Sequence, residues 1–222
     1  MNIARYIDHT LLKPDATEKQ IIALCEEAKE YGFYSVCVNP IWVSVCRKFL
    51  LDLPIKVCSV VGFPLGANLS LIKATETIWA IRDGADEIDM VPNIGELISG
   101  GFYSCQRDIE QVRRIVSKAV LKVIIETCLL TDEEKVKACR IAELAGADFV
   151  KTSTGFSSGG ATVEDVRLMR KTVGNRLGVK AAGGIKTYKM AKAMIEAGAN
   201  RLGCSNSVAI VREAMEAEKT DK

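Results

Sequence analysis

Two lysines, one aspartate and three glycine-rich turns are the residues of this 222-residue chain whose types and spacing could do chemistry. Lys151 follows Phe149-Val150 and precedes Thr152-Ser153-Thr154-Gly155, while Lys180 follows Gly178-Val179 and precedes Ala181-Ala182-Gly183-Gly184. An amine attacks a carbonyl only in its neutral form, and a free lysine is almost wholly protonated at neutral pH. Desolvation and a second nearby cation both lower a lysine pKa, which is a route to an amine nucleophile. Two lysines near the ends of neighbouring strands supply that pairing. The alternative for each is an ammonium that snorkels to solvent from a strand end. Asp89 lies in Glu87-Ile88-Asp89-Met90-Val91, where alternation sets it opposite Ile88 and Met90 and inward if those two pack on helices. An inward carboxylate near such amines is either a proton carrier or a plain counter-ion. Glu87 would face inward too, and the sequence offers no reason for it. The glycine turns are 155–160, Gly183-Gly184 and Gly203-Cys204-Ser205-Asn206. Loops of this kind after late barrel strands cradle phosphate through backbone N–H groups, although any one of them could be just a turn.

The elements that must position these residues follow from periodicity. Apolar runs at residues 8–12, 34–38, 55–61, 86–91, 121–126, 148–152, 178–182 and 200–204 predict strands, separated by amphipathic segments. Thr17 with Gln20 and Thr131 with Glu134 fit the capping-box pattern, and helices are predicted over 18–31 and 133–145. Eight strands with intervening helices indicate an α/β fold, an eight-stranded parallel TIM barrel, as a single domain over 1–222. A quasi-repeat supports closure. Gly32, Gly84, Gly146 and Gly198 each end a helix just before an even-numbered strand, as a C′ glycine does. Five residues beyond each lie Cys37, Asp89, Lys151 and Gly203, which should share one layer inside the barrel near its open C-terminal mouth.

Composition narrows the chemistry. The chain is 48% hydrophobic and 26% charged, with 30 Lys and Arg against 28 Asp and Glu and no basic block, so nucleic acid and anionic membranes are not expected partners. Residues 1–10 lack an apolar signal-peptide core, and runs such as 57–61 are too short to span a bilayer, so a cytoplasmic location is expected. The eight cysteines form no CxxC pair and read as reduced, mostly buried thiols. His9 is the single histidine, so a zinc site built on several imidazoles is excluded and no metal is expected.

Four stretches carry a resemblance to a known family. Asp8-His9-Thr10-Leu11-Leu12, Glu87-Ile88-Asp89-Met90-Val91, Val150-Lys151-Thr152-Ser153-Thr154-Gly155-Phe156 and Val179-Lys180-Ala181-Ala182-Gly183-Gly184-Ile185 are similar, in order, to the motifs of the deoxyribose-phosphate aldolases. The resemblance implies a class I aldolase, free of metal and cofactor, acting on 2-deoxyribose 5-phosphate, glyceraldehyde 3-phosphate and acetaldehyde. It implies Lys151 as the Schiff-base lysine, Lys180 as the second lysine and Asp89 as the acid/base carboxylate. Gly155, Gly183, Gly184, Gly203 and Ser205 match the phosphate cradle, and a homo-oligomer, dimer or tetramer, is expected. Two departures stand out: Asn206 replaces a hydroxyl in the last phosphate loop, and the last tyrosine is Tyr188. The polar tail 218–222 is expected to be disordered. Another Schiff-base barrel, of transaldolase type or an aldolase for a different sugar phosphate, and a silent phosphate-binding barrel are the competing readings. A silent binder needs cations but no neutral amine.

Overall fold

A computed structural model describes residues 1–116 and 118–220. Its strands are β1 (Ile7–Leu11), β2 (Ser35–Val38), β3 (Lys56–Val61), β4 (Glu87–Met90), β5 (Val120–Ile124), β6 (Phe149–Lys151), β7 (Gly178–Ala182) and β8 (Arg201–Cys204). They form a closed, all-parallel barrel in sequence order, sealed by pairing of Ile7 with Leu202 and Asp8 with Gly203. The helices are α1 (Glu18–Tyr31), α2 (Val43–Phe49), α3 (Ser70–Arg82), α4 (Ile94–Ile98), α5 (Phe102–Ile115), α6 (Asp132–Leu144), α7 (Val163–Val173), α8 (Tyr188–Glu196) and α9 (Ser207–Thr220).

Local signals account for many boundaries. Gln20 Oε1 accepts the Thr17 backbone N–H at 2.8 Å, and Glu134 Oε2 accepts that of Thr131 at 2.7 Å. The four repeat glycines all have positive φ, from +67° at Gly32 to +114° at Gly198, which turns each helix back into an even-numbered strand. Strand β5 ends two residues short of its expected limit because Glu126 adopts a left-handed conformation, φ +54°, and redirects the chain. Helix α9 continues through Glu218 and Lys219 to Thr220, so that part of the expected disordered tail is helical; Asp221 and Lys222 lie outside the described residues.

Between strands and helices the barrel buries Val36, Val57, Ile88, Val123, Val179 and Leu202, each fully. Each side chain of this kind contributes about 1.5–3 kcal/mol when removed from water. The inner face is different. Strand stagger stacks it in layers drawn alternately from even and odd strands, and the residues at those places include Asp8, Glu87, Asp89, Lys122, Lys151, Lys180 and Arg201. The middle of this barrel is ionic where many such barrels are filled with Val, Ile and Leu.

Candidate active site

Asp89 sits at the centre of the ionic core. Its Oδ2 accepts from Lys151 Nζ and from Lys180 Nζ, each at 2.8 Å, and its Oδ1 accepts from Lys122 Nζ at 2.7 Å and Cys58 Sγ at 3.2 Å. Below it, Asp8 receives Lys180 on Oδ2 and Arg201 on Oδ1, the latter at 2.7 Å. Glu87 lies 2.6 Å from Lys122 and 3.2 Å from Arg201, which explains its inward position. The Arg201 guanidinium stacks 3.4 Å from the Tyr34 ring centroid at the lower end of the barrel.

The four residues sharing the five-residue offset all turn inward. Lys151 meets Asp89, and Cys37 Sγ lies within 4.8 Å of an Asp89 oxygen. A Cβ built on Gly203 would stand 3.2 Å from Lys180 Cε. The layer is deeper than expected, because Asp89 and Cys37 are wholly covered and only Lys151 and Gly203 reach open space. Asp8, Lys122 and Arg201 were not singled out from the sequence. The offset that finds Asp89 finds Glu87 and Arg201 when shortened to three, and alternation about Leu121 and Val123 marks Lys122 as inward.

Burial raises the pKa of Asp89, but the ammonium groups of Lys122, Lys151 and Lys180 outweigh it and hold the carboxyl well below its ordinary range. Asp8 behaves alike: burial opposes, and Lys180 and Arg201 prevail. Burial also works against charge on Lys180, yet Asp8 and Asp89 push its pKa above 10.5; Lys122 is raised in the same way, mainly by Asp89. The signs set a pH window for stability. Depressed carboxyls stabilise the fold above their unfolded value near 3.8, and this is lost as pH falls through the folded values. Raised lysines stabilise it below 10.5, and this is lost as pH rises through theirs. Thermal melts should therefore show a plateau with a fall below about pH 4 and another above about pH 10.5. A fall already complete near pH 6 would contradict this assignment.

Above Lys151 lies a cavity of about 350 Å³. Its wall holds Gly155, Gly183, Gly184, Gly203 and Ser205, so every cradle residue expected from the sequence is gathered in one mouth with Lys151. Lys180 and Asp89 lie beneath its floor. Gly184 has φ +78° and no atom within 4 Å of the place of a Cβ, so there is open space beside its backbone at the mouth. Lys13 and Lys186, both exposed, line the same mouth and add positive charge that the sequence did not single out. Asn206 donates its side-chain amide to Lys186 O at 2.8 Å, so it ties the last two loops together.

The walls are buttressed from outside. His9 lies 2.9 Å from Ser207 Oγ and 2.7 Å from Glu27 Oε2, anchoring the first turn of α9 behind Ser205; burial lowers its pKa against the pull of Glu27. Buried Glu126 accepts from Thr154 Oγ1 at 2.5 Å and Thr154 N at 3.2 Å, which fixes the loop after Lys151. Cys37, Cys58 and Asp89 also bring two thiols and a carboxylate within 4.8 Å of one another, a possible donor set for a soft metal. The lysines that crowd Asp89, with Lys122 and Lys180 held charged, make that spot hostile to a cation.

Residues 3–215 match the model of the DeoC/LacD family aldolases. The chain belongs to this family. The deoxyribose-phosphate aldolase of Thermococcus gammatolerans is 60% identical, over 98% of this chain and 99% of that protein. That of Caldanaerobacter subterraneus subsp. tengcongensis is 59% identical, over 96% and 94%. Among solved structures, the tetrameric deoxyribose phosphate aldolase of Aeropyrum pernix superposes with a TM-score of 0.91 at 33% identity, covering 97% of this chain and 92% of that one. A mandelate oxidase, 11% identical with a TM-score of 0.65, shares the fold alone with this aldolase-family chain.

Proposed function

We propose that this chain is a class I aldolase that interconverts 2-deoxy-D-ribose 5-phosphate with D-glyceraldehyde 3-phosphate and acetaldehyde through an imine on Lys151. Charge balance inside the barrel carries this reading. Four cationic side chains, Lys122, Lys151, Lys180 and Arg201, face three carboxylates, Asp8, Glu87 and Asp89. The core is neutral when one of the four gives up its proton. Lys122, Lys180 and Arg201 are each held by two or more carboxylates; among the described residues Lys151 has Asp89 alone. It is also the one of the four that reaches the cavity.

The chemistry then follows with atoms accounted for. Neutral Nζ of Lys151 adds to the sugar aldehyde, and loss of water leaves an imine whose protonated nitrogen is an electron sink. The C3 hydroxyl surrenders its proton, the C2–C3 bond breaks and glyceraldehyde 3-phosphate departs. The bonding pair stays on C2 as an enamine. Protonation of C2 and addition of water release acetaldehyde and restore the amine. Asp89, bonded through one oxygen to Lys151 and Lys180, is the group placed to pass protons between them. No step needs a metal or redox cofactor, and activity should survive EDTA. The phosphate is assigned to the mouth of Gly155, Gly183, Gly184, Gly203 and Ser205, at the start of α9.

The direct test is acetaldehyde release from 2-deoxyribose 5-phosphate by the purified chain. Failure to release it would overturn the substrate assignment. Ser205→Glu should raise KM for the phosphorylated sugar at least ~10-fold, because like charges juxtaposed at a contact cost several kcal/mol. The same change should leave KM for unphosphorylated 2-deoxyribose nearly unaltered. Equal effects on both sugars would move the phosphate elsewhere.

The single barrel is proposed as the whole catalytic unit, working as a homo-oligomer on small molecules with no nucleic acid or membrane partner. A reducing compartment such as the cytoplasm suits eight free cysteines, of which seven are buried and Cys128 is exposed.

A further inference from the structure

The single histidine of the chain is a buried titratable group that the aldol steps leave unused. His9 lies on the outer face of β1, opposite the inward Asp8, and is 3% exposed. Its Nε2 lies 2.7 Å from Glu27 Oε2 and its Nδ1 2.9 Å from Ser207 Oγ, and that hydroxyl stands 3.0 Å from Cys204 O. The protons on this chain of groups can be counted. The Glu27 carboxylate and the Cys204 carbonyl only accept, and Ser207 has one proton to give. A bare Nε2 would set two acceptors 2.7 Å apart, so the neutral ring carries its proton on Nε2 and offers Nδ1 as an acceptor. Ser207 then donates to Nδ1, and Cys204 O goes without that hydroxyl. When the ring takes a second proton, Nδ1 becomes a donor and Ser207 turns its own proton to Cys204 O. The charged chain holds three bonds where the neutral one holds two.

The hydroxyl that turns belongs to the phosphate turn. Cys204 ends β8, Ser205 lines the cavity, and Ser207 opens α9, where the first backbone N–H groups have no partner within the helix. We propose that His9 is a positioning residue for the phosphate: the proton on its Nδ1 decides how firmly the turn 204–207 is held, so that this proton and a bound dianion favour each other. The coupling has a second cause. An imidazolium beside a helix N-terminus is opposed by the positive end of the helix dipole, and an anion seated there relieves the opposition. The groups facing the ring are Glu27 from α1, Ser207 from α9, the Phe33 ring 4.8 Å away, and Cys204 beside it on β8, whose thiol burial pushes up to about 12. Arg212 of α9 lies farther out, bonded to Tyr31 Oη and near Glu27 and Glu30. Burial outweighs Glu27 and lowers the His9 pKa below 6.5, so the ring is mostly neutral at pH 7 and charges on the acid side. The Glu27 side chain is 46% exposed and connects the ring to water.

With one imidazole in the untagged chain, NMR follows His9 without ambiguity. Sulfate is the probe, because it stays a dianion throughout, whereas a phosphate ester loses its second proton near pH ~6. At pH 8 the ring should carry its proton on Nε2 with Nδ1 bare. Saturating sulfate should raise the His9 midpoint by at least ~0.5 pH, and sulfate should bind at least ~3-fold more tightly to the charged ring than to the neutral one, since the two effects are one coupling. His9→Leu should raise KM for 2-deoxyribose 5-phosphate at least ~5-fold more than KM for unphosphorylated 2-deoxyribose, the low end of losing a buried hydrogen-bond partner. His9→Asn, whose Oδ1 can accept from Ser207 at the place of Nδ1, should recover the affinity for sulfate at pH 8 and lose its pH dependence. An Nδ1–H ring at pH 8, a midpoint indifferent to sulfate, or a His9→Asn variant that still tightens on sulfate with acid would each overturn the proposal. The inference rests on the phosphate assignment made above, and Ser205→Glu separates the two. If that change leaves sulfate affinity intact, the assignment fails and this inference with it; if it abolishes sulfate binding while the wild-type midpoint stays fixed, this inference alone fails.

Discussion

Lys151→Arg is expected to lower turnover by ~10⁴-fold or more, the scale of losing a covalent nucleophile, while leaving the barrel folded. Arginine keeps a positive charge near Asp89 but cannot be deprotonated in proteins, so no imine can form. The same residue should be the point of covalent labelling. Acetaldehyde with borohydride traps an imine as a secondary amine carrying one ethyl group, and brief treatment should modify Lys151 alone. The reason is its setting. Lysines on the outer surface are solvated ammonium groups, and the other buried lysines are locked into ion pairs: Lys122 and Lys180 with two carboxylates or more, Lys73 with Asp108 at 2.5 Å. Lys151 has one carboxylate and an open cavity above it. Peptide mapping after labelling reads the result, with EDTA present in parallel. Label spread over surface lysines, or retained in full by Lys151→Arg, would sink the imine mechanism.

Lys180→Leu is expected to cut activity by at least ~10²-fold, the effect of losing a general acid/base group, and to move the pH dependence in a direction that charge counting fixes. In the intact core, neutral Lys151 leaves three cations facing three carboxylates. Without Lys180, the same balance needs Lys151 to stay charged, so the pH at which imine forms should rise. Adding Asp8→Asn removes one carboxylate and frees Lys151 again. The double variant Asp8→Asn/Lys180→Leu should therefore bring the imine-forming pH back toward wild type, while turnover stays low for want of the proton carrier. Borohydride labelling as a function of pH measures this separately from turnover. A merely structural role would give variants that melt early with an unshifted labelling profile. An unshifted profile in a well-folded Lys180→Leu would reduce Lys180 to a packing residue.

Both experiments probe a site that was partly legible in the chain. Lys151 and Lys180 stood out because a charged residue in a short apolar strand conflicts with its neighbours. Asp89 stood out through alternation with Ile88 and Met90. The glycine turns converge on one cavity because each follows a strand whose C-terminal end opens on the same side of the barrel. Asp8, Lys122 and Arg201 escaped notice: Lys122 conflicts with its apolar neighbours as Lys151 and Lys180 do, but no glycine-rich turn follows it, and Asp8 and Arg201 stand at the starts of their strands. Glu87 was visible but inexplicable until Arg201 and Lys122 were found beside it.

By itself the sequence determined what depends on short-range sterics and periodicity. It set eight strand-helix units, the capping boxes at Thr17 and Thr131, the positive-φ glycines that return helices to strands, and which face of each strand meets the helices. The tertiary structure decided what depends on stagger between strands far apart in the chain. Closure of β1 on β8 carries Asp8 to Lys180 and Arg201, 172 and 193 residues away, and the tilt of the strands stacks inward residues into alternating layers. Side-chain alternation says only that a residue points inward. Which ion it then meets is set by the shear of the closed barrel, and that assignment leaves Lys151 with one counter-ion and an opening to the substrate.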